Sequence, residues 1–102
     1  MRAQDIYTLL VLAINQACDC EGFMEVCEVA EHNGMRGGRV TAFNALKYEY
    51  TYSDSDGNMV LLNIRSYDPS GPFQNIPDIN RLTVKLVIGG QDIAIHDRQY
   101  SD

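Results

Sequence analysis

Apolar positions in the first third of the chain recur at helical spacing, and those further on alternate. Ile6, Leu9, Leu10, Ala13, Ile14 and Ala17 follow the steps i, i+3, i+4, i+7, i+8 and i+11, one face of a helix from Ala3 to about Cys18. Leu12 falls among the polar positions opposite. It is either a contact to the C-terminal part of the chain or part of a dimer interface. Phe23, Val26, Cys27 and Ala30 form the buried stripe of a second helix over Phe23 to Asn33. Gly22 breaks the chain before it, and Gly34 stands just past its end. A rival strand over this segment would put Glu28 in line with Met24 and Val26.

The next stretch has the spacing of a helix-turn-helix. Ala30 and Gly34 are four apart, and Val40 and Phe43 lie six and nine residues past the glycine. A small residue lets a second helix pack closely, and glycine permits the positive φ of a tight inter-helix turn. The pattern predicts a turn at Arg36-Gly37-Gly38-Arg39 and a third helix from Val40 to about Lys47. Read instead as strand, the segment would turn Val40, Ala42, Asn44, Leu46, Tyr48, Tyr50 and Tyr52 inward.

Two hairpins follow. Tyr48 to Tyr52 alternates, and Met59 to Ile64 returns after Ser53-Asp54-Ser55-Asp56-Gly57-Asn58. A two-residue turn at Asp56-Gly57 would set Tyr52 and Tyr50 opposite Leu61 and Asn63. A three-residue loop, type I with Gly57 as the left-handed bulge residue, pairs Tyr52 with Val60, Tyr50 with Leu62 and Tyr48 with Ile64. The second register puts every bulky residue on one face and is the one expected. Residues Ser66 to Asn80 hold all three prolines and read as a long surface connection. Leu82, Val84, Leu86 and Ile88 then alternate up to a Gly89-Gly90 turn. A two-residue turn there sets Leu86 against Ile93 and Val84 against Ile95, leaving His96 with Thr83 and Lys85 on the solvent side. The tail from Asp97 to Asp102 reads as frayed.

At 102 residues, 45% apolar and 22% charged, the chain reads as one ordinary globular domain. The net charge of −6 argues against a general nucleic-acid coat or a membrane-surface protein. That charge is uneven. No acidic residue occurs from His32 to Tyr48, a window holding Arg36, Arg39 and Lys47. Three cysteines, Cys18, Cys20 and Cys27, cannot all pair with one another and read as free thiols in a reducing compartment. The apolar run from Ile6 to Ile14 has Asp5 where a basic leader would lie and is too short to span a bilayer. It reads as a core helix of a cytoplasmic protein.

With the residues placed, Met24 to Met35 (M-E-V-C-E-V-A-E-H-N-G-M) resembles the helix-turn-helix of MarR-like transcriptional regulators, through Val26, Glu28, Val29, Ala30, Glu31, Gly34 and Met35. Asn33 departs from that pattern, where an apolar residue is usual. Val40 and Phe43 match the anchors of a recognition helix, and Asp54 to Ile64 looks like a wing. The resemblance implies an α+β winged-helix-like fold, N-terminal helices followed by antiparallel β-hairpins. Residues 1–66 would form the winged portion and 67–102 a loop with a C-terminal hairpin. It also implies a small DNA-binding regulator, in which Arg39, Thr41, Ala42 and Ala45 approach base edges in the major groove. Arg36, Lys47 and Arg65 would contact phosphate. A homodimer reading two half-sites is the expected assembly. Gly37-Gly38 at the helix start, and Asp54 and Asp56 at the wing tip, favour the alternative: an acidic protein-interaction module or inhibitor that does not bind DNA.

Other chemistry is weak. Aligning Gly57 as the sixth residue of a calcium loop puts Tyr52 first and Asn63 twelfth, so both principal ligands are missing. The cysteines lack a four-ligand set, and no nucleophile, paired carboxylate or phosphate loop is spaced for catalysis. The sequence therefore predicts no enzyme, no cofactor and no metal.

Overall fold

The computed structural model describes residues 1–16, 21–42, 45–67 and 78–99, with side chains at 1–16, 25–38, 47–65 and 81–99. Among them, α1 (Ala3–Gln16) and α2 (Glu21–His32) precede β1 (Arg36–Ala42), β2 (Ala45–Ser53), β3 (Met59–Tyr67), β4 (Asp78–Ile88) and β5 (Gln91–Gln99). The strands form one sheet in the order β1-β2-β3-β4-β5, with every neighbour antiparallel. Ile6, Leu10 and Ile14 of α1 and Val26 and Ala30 of α2 share one core with Tyr50, Val60, Leu62, Ile64, Leu82, Val84 and Leu86. The helices thus cover one face of a five-stranded meander.

This two-layer α+β fold is not a winged helix. The expected turn at 36–39 is strand, and so are positions 40–42 and 45–47 of the expected third helix; Phe43 and Asn44 lie outside the described residues. β-Branched Val40 and Thr41 suit a strand, and paired glycines are poor helix formers. Gly37 has a more specific role. It pairs with Tyr50, and a Cβ there would collide with the Glu49 carbonyl oxygen and come within 2.5 Å of the Tyr50 ring. The aromatic ring lies across the bare backbone of the outer strand, a known way of covering an edge glycine.

Gly34 does end α2, as its position suggests, but the chain leaves the helix into a strand. Met35 donates to the Ala30 carbonyl at 3.0 Å and Gly34 to that of Glu31 at 3.1 Å, with Gly34 at φ 81°. These are the two bonds of a Schellman cap, closed by burial of Ala30 and Met35. The same glycine spacing serves this cap and a helix-turn-helix, which is why the pattern misleads. Gly22 falls inside α2, and β3 and β4 extend into the expected 66–80 connection, leaving 68–77 outside the described residues.

The first hairpin has the expected register: Tyr52 pairs with Val60, Tyr50 with Leu62 and Tyr48 with Ile64, with Gly57 at φ 81°. Asp54 does more than shape its turn. Oδ1 accepts from the Asp56 and Asn58 amides, each at 2.9 Å, while Oδ2 accepts from the amide of Ala3, the first residue of α1, at 3.0 Å. Arg2 precedes the helix and has no capping oxygen, so a carboxylate 51 residues away caps it. These bonds, led by that from Ala3, hold the Asp54 carboxyl below its ordinary value.

The second hairpin differs from expectation. Leu86 pairs with Ala94 and Val84 with His96, because the register shifts between Leu86 and Val87 and leaves Ile93 as an extra residue on β5. His96 therefore shares the helix-covered side with Val84, and Ile93 and Ile95 face the other way. Asp97 to Gln99 are strand, not frayed tail. The shifted register supplies the C-terminus of α1, whose last turn has no basic residue, with partners from β5. Arg98 Nη1 donates to the Ile14 carbonyl at 2.7 Å and to that of Asn15 at 3.3 Å, and His96 Nε2 lies 2.9 Å from Asn15 Oδ1. A cation is favourable at that end of the helix dipole.

Gly37→Ala is expected to lower the unfolding free energy by about 1–3 kcal/mol through overpacking. Gly38→Ala, facing open space, should leave it unchanged or raise it by about 0.5 kcal/mol. Urea denaturation of the pair measures both. Asp54→Ala should lower the melting temperature at neutral pH. Because the folded-state pKa is depressed, this contribution is present above the unfolded value of 3.8 and disappears as pH falls through the folded one. Melting curves of wild type and variant should converge in acid.

Candidate binding surface

Alternation along the strands sends one residue set under the helices and the other onto a face that no described helix covers. That open face can be written as rows across the sheet. Lys47 pairs with Arg65, Arg65 with Arg81 and Arg81 with Gln99. The next row is Glu49, Asn63, Thr83 and Asp97, and then Thr51, Leu61, Lys85 and Ile95. At the hairpin-turn end, Met59 pairs with Val87 beside the bulged Ile93.

The face has two halves. Towards the turns it is apolar: Ile93 and Ile95 are 55% and 61% exposed, and Met59, Leu61 and Val87 are half-buried beside them. Towards the other end it is cationic. Arg81 grips Asp97 with Nε and Nη2, both at 2.8 Å, and Thr83 donates to the same carboxylate at 2.9 Å. The Arg81 bond, ahead of Thr83, holds the Asp97 carboxyl below its ordinary value. Lys47 meets Glu49 at 3.0 Å and Lys85 meets Asp92 at 3.5 Å. Arg65, in the middle of the row, is exposed and makes no ion pair among the described residues.

Charge is therefore segregated. Arg36, Lys47, Arg65, Arg81 and Lys85 stand on the open face against Glu49, Asp92 and Asp97, whereas Asp5, Glu25, Glu28 and Glu31 are exposed on the helix layer. A chain of net charge −6 thus carries a locally basic sheet face.

Of the residues expected to meet DNA, Arg36, Arg39, Thr41 and Ala42 lie on β1 and Ala45 and Lys47 on β2, so they do not share a helix face. Positions 36 and 39 have opposite parity along their strand, and the side chains of 39, 41, 42 and 45 lie outside the described set. Lys47 and Arg65 are brought together as direct cross-strand neighbours. Sequence alone assigns no binding role to Arg81, Lys85, Ile93 or Ile95: it leaves Lys85 on the solvent side and sets Ile93 and Ile95 against Leu86 and Val84. The alternation of Arg81, Thr83 and Lys85 against Leu82, Val84 and Leu86 carries the signal for the first two.

Leu12 is 53% exposed on α1. Cys27 is buried, which pushes its thiol up, and the Tyr50 hydroxyl donates to Glu31 Oε1 at 3.2 Å. Such a thiol is a poor nucleophile. Cys18 and Cys20 lie outside the described residues. Among the described residues no cluster of three His, Cys, Asp or Glu could hold a metal, and no helix is long and apolar enough to cross a membrane. Comparison with family models, with curated proteins and with solved structures finds no match to this chain.

Proposed function

We propose that this protein is an interaction module that binds another protein through the open face of its sheet. The observation that carries this reading is the exposure of Ile93 and Ile95, continuous with Met59, Leu61 and Val87. An antiparallel sheet with one covered face ordinarily presents polar residues on the other. Contiguous apolar surface rimmed by charge marks interaction sites. Internal packing does not account for it, because the core is closed on the opposite face by Ile6, Leu10 and Ile14.

Reading of DNA by a helix has lost its carrier, since residues 39–42 and 45–47 are strand. Tyr50 is buried under the helices, Tyr48 and Tyr52 pack half-buried against the same core, and none of the three offers a stacking platform on the open face.

The test is site-specific photocrosslinking in cells, with the probe placed at Leu61 or Ile95 and, as controls, at Leu9 or Glu28 on the helix layer. A discrete protein adduct from the sheet positions alone is expected, and Ile93→Lys should reduce the Ile95 adduct by about tenfold while leaving thermal stability nearly unchanged. Adducts arising only from the helix positions, or none from the sheet, would overturn the proposal.

A further inference from the structure

Three cations directly opposite one another on adjacent strands are an arrangement that folding alone disfavours, since like charges in cross-strand pairs repel. Lys47, Arg65 and Arg81 form such a row. Glu49 and Asp97 neutralise the two flanks, and Arg65 between them has no carboxylate partner among the described residues. An exposed arginine held in this way offers a planar fork to an incoming carboxylate.

The apolar patch begins four residues back along β3, at Leu61. Four strand residues span roughly 13 Å, so the distance from patch to Arg65 is fixed by the strand. Resting on the reading of this face as a protein-binding surface, we infer that its partner is an acidic, apolar segment of another protein. Its apolar side chains cover Leu61, Val87 and Ile95, and an Asp or Glu roughly 13 Å further along docks on Arg65. That separation corresponds to about nine residues of helix or four of strand.

A second copy of this chain does not meet these requirements. Two such faces can pack about a two-fold axis in two ways. An axis along the strands sets the cation row against its own copy. An axis across them sets the row against the apolar patch. Both are penalised by repulsion or by burial of unpaired charge. Nucleic acid is disfavoured by the apolar half and by the overall negative charge.

The experiment uses the whole chain and a displayed library of random peptides about twelve residues long, enough to cover roughly 13 Å in either form. Peptides that bind wild type should carry Asp or Glu set apart from an apolar cluster. They should lose affinity by at least about tenfold on Arg65→Glu and on Ile95→Lys. Arg65→Glu should at the same time keep or raise the melting temperature, because it turns a repulsive row into an alternating one. Peptides lost on Ile95→Lys but indifferent to Arg65→Glu would overturn the acidic anchor and leave the protein-binding surface standing. Peptides indifferent to both variants would remove the two together. Single-stranded or duplex DNA bound at low salt through Arg65, with no acidic peptide selected, would reassign the row to phosphate. A lowered melting temperature for Arg65→Glu would show that the row serves stability and overturn the inference.

Discussion

The position of α1 is the constraint on which the two faces of this protein depend. The helix is held at both ends by side chains from the sheet, a carboxylate at the positive end of its dipole and a guanidinium at the negative end. Asp54 comes from the turn between β2 and β3, and Arg98 from the last described strand. Between these clamps Ile6, Leu10 and Ile14 are wholly buried against the inward residues of β3 and β4. Direction and depth of the helix are thus set independently, the first by charge at its ends and the second by burial along its length. With one face closed in this way, the residues of opposite parity, Ile93 and Ile95 among them, stand on the other.

Much of this was legible where a single local rule decides the outcome. Helical spacing located α1 and α2, and the choice between two hairpin registers followed from asking which one gathers Tyr48, Tyr50, Val60, Leu62 and Ile64. Gly34 was recognisable as a helix terminator. What followed it was not, because a Schellman cap leads as readily to a strand as to a turn between helices. The glycine pair at 37–38 was ambiguous for a related reason: glycine is used for turns and also for close approach, and only the Tyr50 ring shows which applies. The alternation of Val40, Ala42, Leu46 and Tyr48 was visible as a second possibility. It competes with a helical spacing built from nearly the same residues.

The surface was less legible than the core. The likeness to a winged helix points only to cations within residues 36–65, and Arg81 and Lys85 fall outside it although β4 alternates plainly. Ile93 and Ile95 pose a deeper difficulty. Two isoleucines two apart look like core residues, and nothing within β5 says otherwise. Their outward turn goes with a register that brings Arg98 to the carbonyl end of α1, some eighty residues earlier. A long-range match of that kind leaves no periodic trace.

The bulge at Ile93 has a consequence for how such a surface could arise or be lost. A strand has two sides, and one extra residue exchanges them for everything downstream. Pairing without the bulge, with every residue kept, would set Ile93 on Leu86 and Ile95 on Val84, carrying both under the helices and bringing His96 and Arg98 out, stripping the end of α1 and emptying the apolar half of the sheet in the same event. Substitutions can grade the stickiness of the face a little at a time. Its existence is a matter of parity, and parity changes by one residue or not at all.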